Sequence, residues 1–172
     1  MKKVKVRIYN KSNNPNPEYA TPFSAGADIR AYFTPETEIK TSAGFMSKEG
    51  TVCIHPGGRA LIPTGLFVDI PDGYEIQVRP KSGKALKAGL TVLNTPGTID
   101  KDYLYEIGVI VYNATQDMME IHSGDAIAQL VIKEVPQIEW EPMSEETLLN
   151  LRQEQEKDSE ARRGGFGSTE KK

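Results

Sequence analysis

The feature that most restricts the fold is the density of chain-reversing residues between short apolar runs. Gly, Pro, Asn and Asp recur along most of the chain and cut it into segments too short for helices. Val4, Val6 and Ile8 alternate with Lys5 and Arg7, the pattern of a half-buried strand. Residues 13–17 are loop, and residues 59–70 are apolar apart from a break at Pro63-Thr64-Gly65. Pro71-Asp72-Gly73 turns the chain back into residues 74–78, and residues 90–93, 106–113, 119–121 and 126–132 supply further strands. Residues 35–58 carry two Gly-bearing turns around Phe45 and Met46, which predict an extra hairpin. Many short strands without intervening helices predict an all-β sandwich or barrel of jelly-roll type. Helix is confined to a turn or two over residues 82–87 and to a segment opening at Ser144, a good N-cap. Glu145 and Glu146 follow in its first turn, where the helix dipole favours acids. Leu148, Leu149 and Leu151 form a face expected to dock, and its back is polar.

A chain of 172 residues is long enough for one domain with a proper core. The expected division is a β domain over residues 1–143, a charged helical arm over 144–161 and a Gly-rich lid over 162–172. A net charge of −3 argues against a nucleic-acid partner, though a small anion needs only a local positive pocket. No stretch approaches the apolar length of a membrane span, and the basic N-terminus has no signal-peptide core, so no membrane partner is expected and the cytoplasm is the default location. Cys53 is the one cysteine; it cannot form an internal disulfide, and its neighbours Val52 and Ile54 predict a buried strand residue. His55 and His122 lie far apart in turn-like settings, so a zinc site is not expected.

Four internal segments carry candidate chemistry. Residues 94–103, Asn-Thr-Pro-Gly-Thr-Ile-Asp-Lys-Asp-Tyr, form a long hairpin between apolar strands. Turn chemistry accounts for Pro96, Gly97 and Asp102. Asp100 after Ile99 is either a solvated turn acid or a general base set beside an apolar wall. Residues 79–87 combine Arg79, Lys81, Ser82, Gly83, Lys84 and Lys87 at a short helix start, which suits an anion or is an ordinary basic turn. The spacing is not that of a Walker loop. Asp28 sits among small residues in Ser-Ala-Gly-Ala-Asp-Ile-Arg-Ala, leaving room for a ligand, a packed subunit or a buried structural acid. Gln129 is the polar interior position of Ser-Gly-Asp-Ala-Ile-Ala-Gln-Leu and faces either a ligand or solvent. At the C-terminal end, Arg162-Arg163-Gly164-Gly165-Phe166-Gly167-Ser168-Thr169 offers glycines for close backbone approach to an anion, arginines for phosphate oxygens and an aromatic ring to cover a base. That set is a mobile nucleotide lid or a Gly-rich tail.

Taken in order, these segments resemble the trimeric deoxyuridine triphosphate nucleotidohydrolase (dUTPase) family, from Ala25 to Thr169. Ala25, Gly26 and Asp28 fit its Ala-Gly-x-Asp pattern, and Pro63 to Leu66 fit Pro-Thr-Gly-Leu. Ser82 and Gly83 fit Arg-Ser-Gly with Lys81 in the arginine's place. Gly97, Ile99, Asp100, Asp102 and Tyr103 fit Gly-x-Ile-Asp-x-Asp-Tyr, and Gly124 to Leu130 fit Gly-Asp-x-Ile-Ala-Gln-Leu. The resemblance implies a homotrimer of jelly-roll (β-clip) subunits with a swapped C-terminal arm and three shared active sites, each built from a hairpin, phosphate motifs and tail of different subunits. It implies hydrolysis of dUTP to dUMP and pyrophosphate, with Asp100 activating water for attack at the α-phosphorus. The base and sugar would meet Asn94, Gly97, Ile99, Tyr103 and Phe166. The phosphates would meet Lys81, Ser82, Gly83, Gln129, Arg162, Arg163, Gly167, Ser168 and Thr169. Mg²⁺ would ride on the triphosphate, with Asp28 and Gln129 reaching its waters rather than the ion.

The departures are specific. Lys81 keeps the family arginine's charge but not its bidentate fork. Lys84 stands for a usual Leu, Tyr105 for a usual Gly, so that the hairpin's return corner must differ, and Ala126 for a frequent Arg. The resemblance implies an arginine on the phosphates, and the order Ala161-Arg162-Arg163 leaves open which of Arg162 and Arg163 it is. Two alternatives remain within the same fold. A deoxycytidine triphosphate deaminase needs an acid where this chain has Ile110, three residues before Asn113. A non-catalytic dUTP-binding trimer would need a decayed site, against which Asp100, Tyr103 and the full tail argue.

Overall fold

The computed structural model describes residues 2–47 and 49–157. The chain divides into two units, Met1–Pro136 and Gln137–Lys172. The first contains twelve strands: β1 (Arg7–Asn10), β2 (Ala27–Arg30), β3 (Gly44–Met46), β4 (Thr51–Ile54), β5 (Arg59–Pro63), β6 (Leu66–Asp69), β7 (Tyr74–Arg79), β8 (Leu90–Val92), β9 (Gly97–Ile99), β10 (Gly108–Asn113), β11 (Met119–His122) and β12 (Ala126–Glu134). The short helix α1 (Ser82–Ala88) follows β7, and α2 (Glu145–Glu156) lies in the second unit. All strand pairings are antiparallel, in sheets ordered β2-β12-β7-β9, β5-β10-β8, β11-β4-β3 and β1-β6. This is the expected all-β, jelly-roll-like architecture.

Alternation decides which side chains enter the core. Along β10, Val109, Val111 and Asn113 are buried while Gly108, Ile110 and Tyr112 are half-buried, as a two-residue period requires. β5 and β11 follow the same rule, contributing Ala60, Ile62, Met119 and Ile121. These residues join Ile29, Ile54, Ile70, Ile107 and Ile127 in one apolar cluster. Truncating any of the fully buried isoleucines to Ala is worth about 2–5 kcal/mol. Strand β12 breaks the period: the register shifts between Ala126 and Ala128, and Ile127 and Ala128 are both buried. That bulge resets the alternation so that Gln129 stands half-buried beside Asp28 of β2 and Arg79 of β7.

Two buried polar side chains among the described residues are fully used. Thr64 Oγ1 donates to the Ile107 carbonyl at 2.6 Å. Asn113 Nδ2 donates to the carbonyls of Ile54 and Asp117 at 2.9 and 2.8 Å, and its Oδ1 accepts from the Thr115 backbone and hydroxyl at 2.9 and 2.7 Å. Asn113 therefore ties three segments together and has no free group for a ligand.

Two expectations change. The opening strand starts at Arg7 rather than Val4, because pairing with β6 covers only Arg7 to Asn10, and Ile8 is exposed. Val6 still packs against the core from the preceding segment. The expected hairpin at 35–58 forms as β3 and β4, but β4 also pairs with β11. The insert is thus woven into a three-stranded sheet. Cys53 is buried in β4 as expected, and burial pushes its thiol pKa up. In the second unit, Ser144 caps α2 by accepting from the Thr147 N–H at 3.1 Å. The helix buries none of its residues; Leu148, Leu149 and Leu151 are all exposed.

Candidate active site

The hairpin at residues 90–108 divides between two sheets. β8 is the outer strand of β5-β10-β8, and β9 is the outer strand of β2-β12-β7-β9. Among the described residues each therefore has one backbone edge without a strand partner, and beside them lies a cavity of about 280 Å³. Its lining includes Asn94, Gly97, Thr98, Ile99 and Tyr103 from the hairpin, over an apolar floor of Leu61, Val78, Val92 and Val109. Gly97 lies close to its neighbours: a Cβ there would stand 3.3 Å from Asn94 Nδ2, the end of a side chain, and 3.4 Å from Val78 Cβ. The pocket thus combines residues of two edge strands, one side-chain amide and an aromatic ring, a set suited to a flat polar ring with a sugar attached.

Asp100 ends β9. Ile99 is buried beside it, whereas the Asp100 side chain is exposed, so the apolar wall covers one side only in this chain. The Asp100 carbonyl accepts from the Tyr103 N–H at 3.1 Å, closing the turn. Lys101 pairs with Asp72 at 2.6 Å, holding the corner to the β6–β7 turn. This pair lowers the Asp72 pKa, chiefly through its hydrogen bond from Lys101, and raises that of Lys101 in return. Tyr103 donates its hydroxyl to the Glu106 carbonyl at 2.9 Å.

A second cluster gathers around the end of β7. Asp28, Gln129 and Arg79 occupy one row across β2, β12 and β7, so their side chains leave the same face. Lys81 Nζ pairs with Asp28 Oδ2. Gln129 Nε2 donates to the Pro80 carbonyl at 2.9 Å, which leaves its Oε1 for another partner. Gly26 makes room for it: a Cβ there would stand 2.9 Å from Gln129 Cδ. Arg79 is occupied by Gln77, whose Oε1 accepts from Nε at 3.0 Å and Nη2 at 2.5 Å. Lys81 occupies the N-cap of α1 without a side-chain cap, and Gly83 faces open space. The first-turn N–H groups at Ser82 and Gly83 are thus free of a side-chain cap.

Of the expected site residues, Asn94, Gly97, Ile99 and Tyr103 line the hairpin pocket, and Asp100 follows Ile99 on the exposed turn beside it. Lys81, Ser82, Gly83, Asp28 and Gln129 form the polar cluster. Phe166, Arg162, Arg163, Gly167, Ser168 and Thr169 lie outside the described residues. Sequence reasoning missed Glu106, which lines the cavity and accepts from the Gly65 N–H at 2.8 Å and from Lys11 Nζ at 2.6 Å. Its place before Ile107 is indistinguishable from ordinary polar alternation. Among the described residues, no group of three or more His, Cys, Asp or Glu side chains is placed to hold a metal ion. A family model described as dUTPase matches residues 32–169.

The chain belongs to the dUTPase family.

Among its relatives, the deoxyuridine 5'-triphosphate nucleotidohydrolase of Finegoldia magna is 39% identical over 166 residues, covering 96% of this chain and 99% of its own. The protein of the same name from Fusobacterium nucleatum is 44% identical over 145 residues, covering 84% and 89%. The fold is shared with a Staphylococcus bacteriophage 80alpha dUTPase, described with dUPNHPP, at a TM-score of 0.69 and 23% identity, covering 96% of this chain and 98% of that one. A mutant dUTPase from phage phi11 of S. aureus, described with a structural Mg(II) ion, superposes at a TM-score of 0.65 and 23% identity over 82% of this chain and 97% of that one.

Proposed function

We propose that this protein hydrolyses dUTP to dUMP and pyrophosphate in active sites shared between the subunits of a homotrimer. The observation that carries the reading is the hairpin pocket: an apolar slot beside the edge strands β8 and β9, lined by the Asn94 amide and Tyr103, with Asp100 next in the chain after its lining residue Ile99. Uracil pairs with the hairpin backbone and Asn94, and cytosine is rejected because its exchanged donor and acceptor leave polar groups unpaired. Tyr103 packs on the deoxyribose and leaves no room for a ribose hydroxyl.

Asp100 accepts a proton from water, and the water oxygen bonds to the α-phosphorus as the bond to the bridging oxygen of pyrophosphate breaks. The polar cluster binds the triphosphate. Lys81 and the uncapped start of α1 meet its oxygens, and the Lys81–Asp28 pair opens so that each group serves the ligand. Asp28 and Gln129 suit Mg²⁺ in its hydrated form: both offer hard oxygens, and a single carboxylate leaves most of the coordination to waters and phosphates. The ion supplies charge neutralisation on the triphosphate. Phe166 stacks on uracil, while Arg162 or Arg163 with Gly167, Ser168 and Thr169 close over the phosphates.

A shared site is supported by apolar groups that this chain leaves exposed at the two clusters. α1 buries none of its residues yet carries Leu86 at 87% exposure, and Leu104 at the hairpin corner is 62% exposed. A panel of dUTP, dCTP, dTTP and UTP with product identification tests the reading. Pyrophosphate and dUMP from dUTP alone is the expected result; ammonia from dCTP would establish a deaminase, and binding without turnover a regulatory protein.

A further inference from the structure

Tyr103 is fixed from three directions. Its N–H is held by the Asp100 carbonyl, its hydroxyl by the Glu106 carbonyl at 2.9 Å, and its ring by Tyr105, whose centroid lies 5.8 Å away in an edge-on arrangement of 65°. The Glu106 carbonyl is itself immobilised, because that residue's carboxylate is anchored at both oxygens, to Gly65 N–H and to Lys11 Nζ. The anchors are rigid in turn. Lys11 donates its own N–H to the Gly65 carbonyl at 2.9 Å, and Gly65 has a φ of +71° with no space for a Cβ against Ser12 and Tyr32. Tyr105, by contrast, is 74% exposed and contributes almost nothing to the core. Its ring is spent on Tyr103.

We propose that Tyr105 and Glu106 are positioning residues for Tyr103, and that through it they set how strongly the site rejects a ribose. Glu106 fixes the phenol end of the ring, and Tyr105 blocks the tilt that would open the pocket rim. A ring free to tilt would admit the extra hydroxyl. The inference rests on the dUTP-hydrolase reading for the sugar-discrimination effect, but not for the geometry of the ring.

The test uses the full chain labelled with 3-fluorotyrosine, the Tyr103 resonance being assigned by its loss in Tyr103→Phe. Tyr105→Ala is expected to shift that resonance and to lower the ratio of kcat/KM for dUTP over UTP by about two- to tenfold, the range of an aromatic pair. Tyr105→Phe retains the edge contact and should restore both. Glu106→Ala should act like Tyr105→Ala, with Glu106→Gln largely rescuing it by keeping an acceptor for Gly65. If Glu106→Ala does not fold, Lys11→Met replaces it, removing one anchor only. An unchanged Tyr103 resonance and an unchanged ratio in Tyr105→Ala would overturn the proposal. If the wild-type protein hydrolyses neither nucleotide, the hydrolase reading fails and the fluorine resonance alone decides the positioning role.

Discussion

Gly26→Ala is a small change with a consequence that can be worked from the structure. The φ of Gly26 lies outside the left-handed region, so the backbone itself accepts alanine. The cost is the side chain of Gln129. A Cβ at Gly26 would stand 2.9 Å from Gln129 Cδ and 3.2 Å from its Cβ, and closer still to Oε1. The Cβ contact needs only a few tenths of an ångström of relaxation, but the amide must swing away. Swinging breaks its 2.9 Å bond to the Pro80 carbonyl, worth about 0.5–1.5 kcal/mol, and adds about 0.5–1.5 kcal/mol of off-rotamer strain. Lower entropy of the unfolded chain returns about 0.4–1 kcal/mol. The midpoint of these terms is a net loss of about 1.3 kcal/mol, or a fall in Tm of about 3–5 °C by calorimetry. If Gln129 also meets the hydrated ion or a phosphate, losing a charge-assisted bond of about 1.5–3 kcal/mol lowers kcat by about ten- to a hundredfold. A fall in Tm with full activity would show that Gln129 only braces the strand, and no change in either would refute the steric argument.

Deleting the residues after Ala161 should reduce turnover strongly while sedimentation still gives a trimer; full-speed turnover would remove the lid from the account. The Asp72–Lys101 pair makes the hairpin corner sensitive to acid, with a definite sign. The Asp72 carboxyl is held below its ordinary 3.8, so the pair stabilises the folded corner above that value and is lost as pH falls through the lowered pKa. A carbon-detected titration should place the Asp72 midpoint below 3.8 and return it to about that value in Lys101→Met. Cys53, 6% exposed and with its thiol pKa raised by burial, should react with a thiol reagent at pH 8 at least about tenfold more slowly than free cysteine, until the protein unfolds.

What is legible in the sequence is local. Alternation and turn residues locate β5, β6, β7, β10 and β11 because each strand's burial pattern is written in consecutive side chains, and the apolar run after the Gly124 turn locates β12. The cap at Ser144 is equally plain. The β12 bulge is not legible, since a run such as Ala-Ile-Ala-Gln-Leu does not say where the period resets. Nor is the division of the hairpin between two sheets, which follows from pairing with distant strands and creates the cavity. Order and resemblance identify the residue types of the candidate site, but not their partnerships. Lys81 and Asp28 carry separate expected roles, toward phosphate and toward hydrated metal, and they hold each other. Glu106 escapes notice in the sequence because its significance lies in the Gly65 and Lys11 contacts across the fold.

The proposed chemistry turns on Asp100 as the group that activates the water that cleaves dUTP. Pyrophosphate release by Asp100→Asn, measured beside calorimetric binding of a non-hydrolysable dUTP analogue, tests it most directly. Loss of turnover by about a hundredfold or more, the usual contribution of a general base, with binding kept within a few-fold, is the expected result. Turnover at the wild-type rate in that variant would contradict the account.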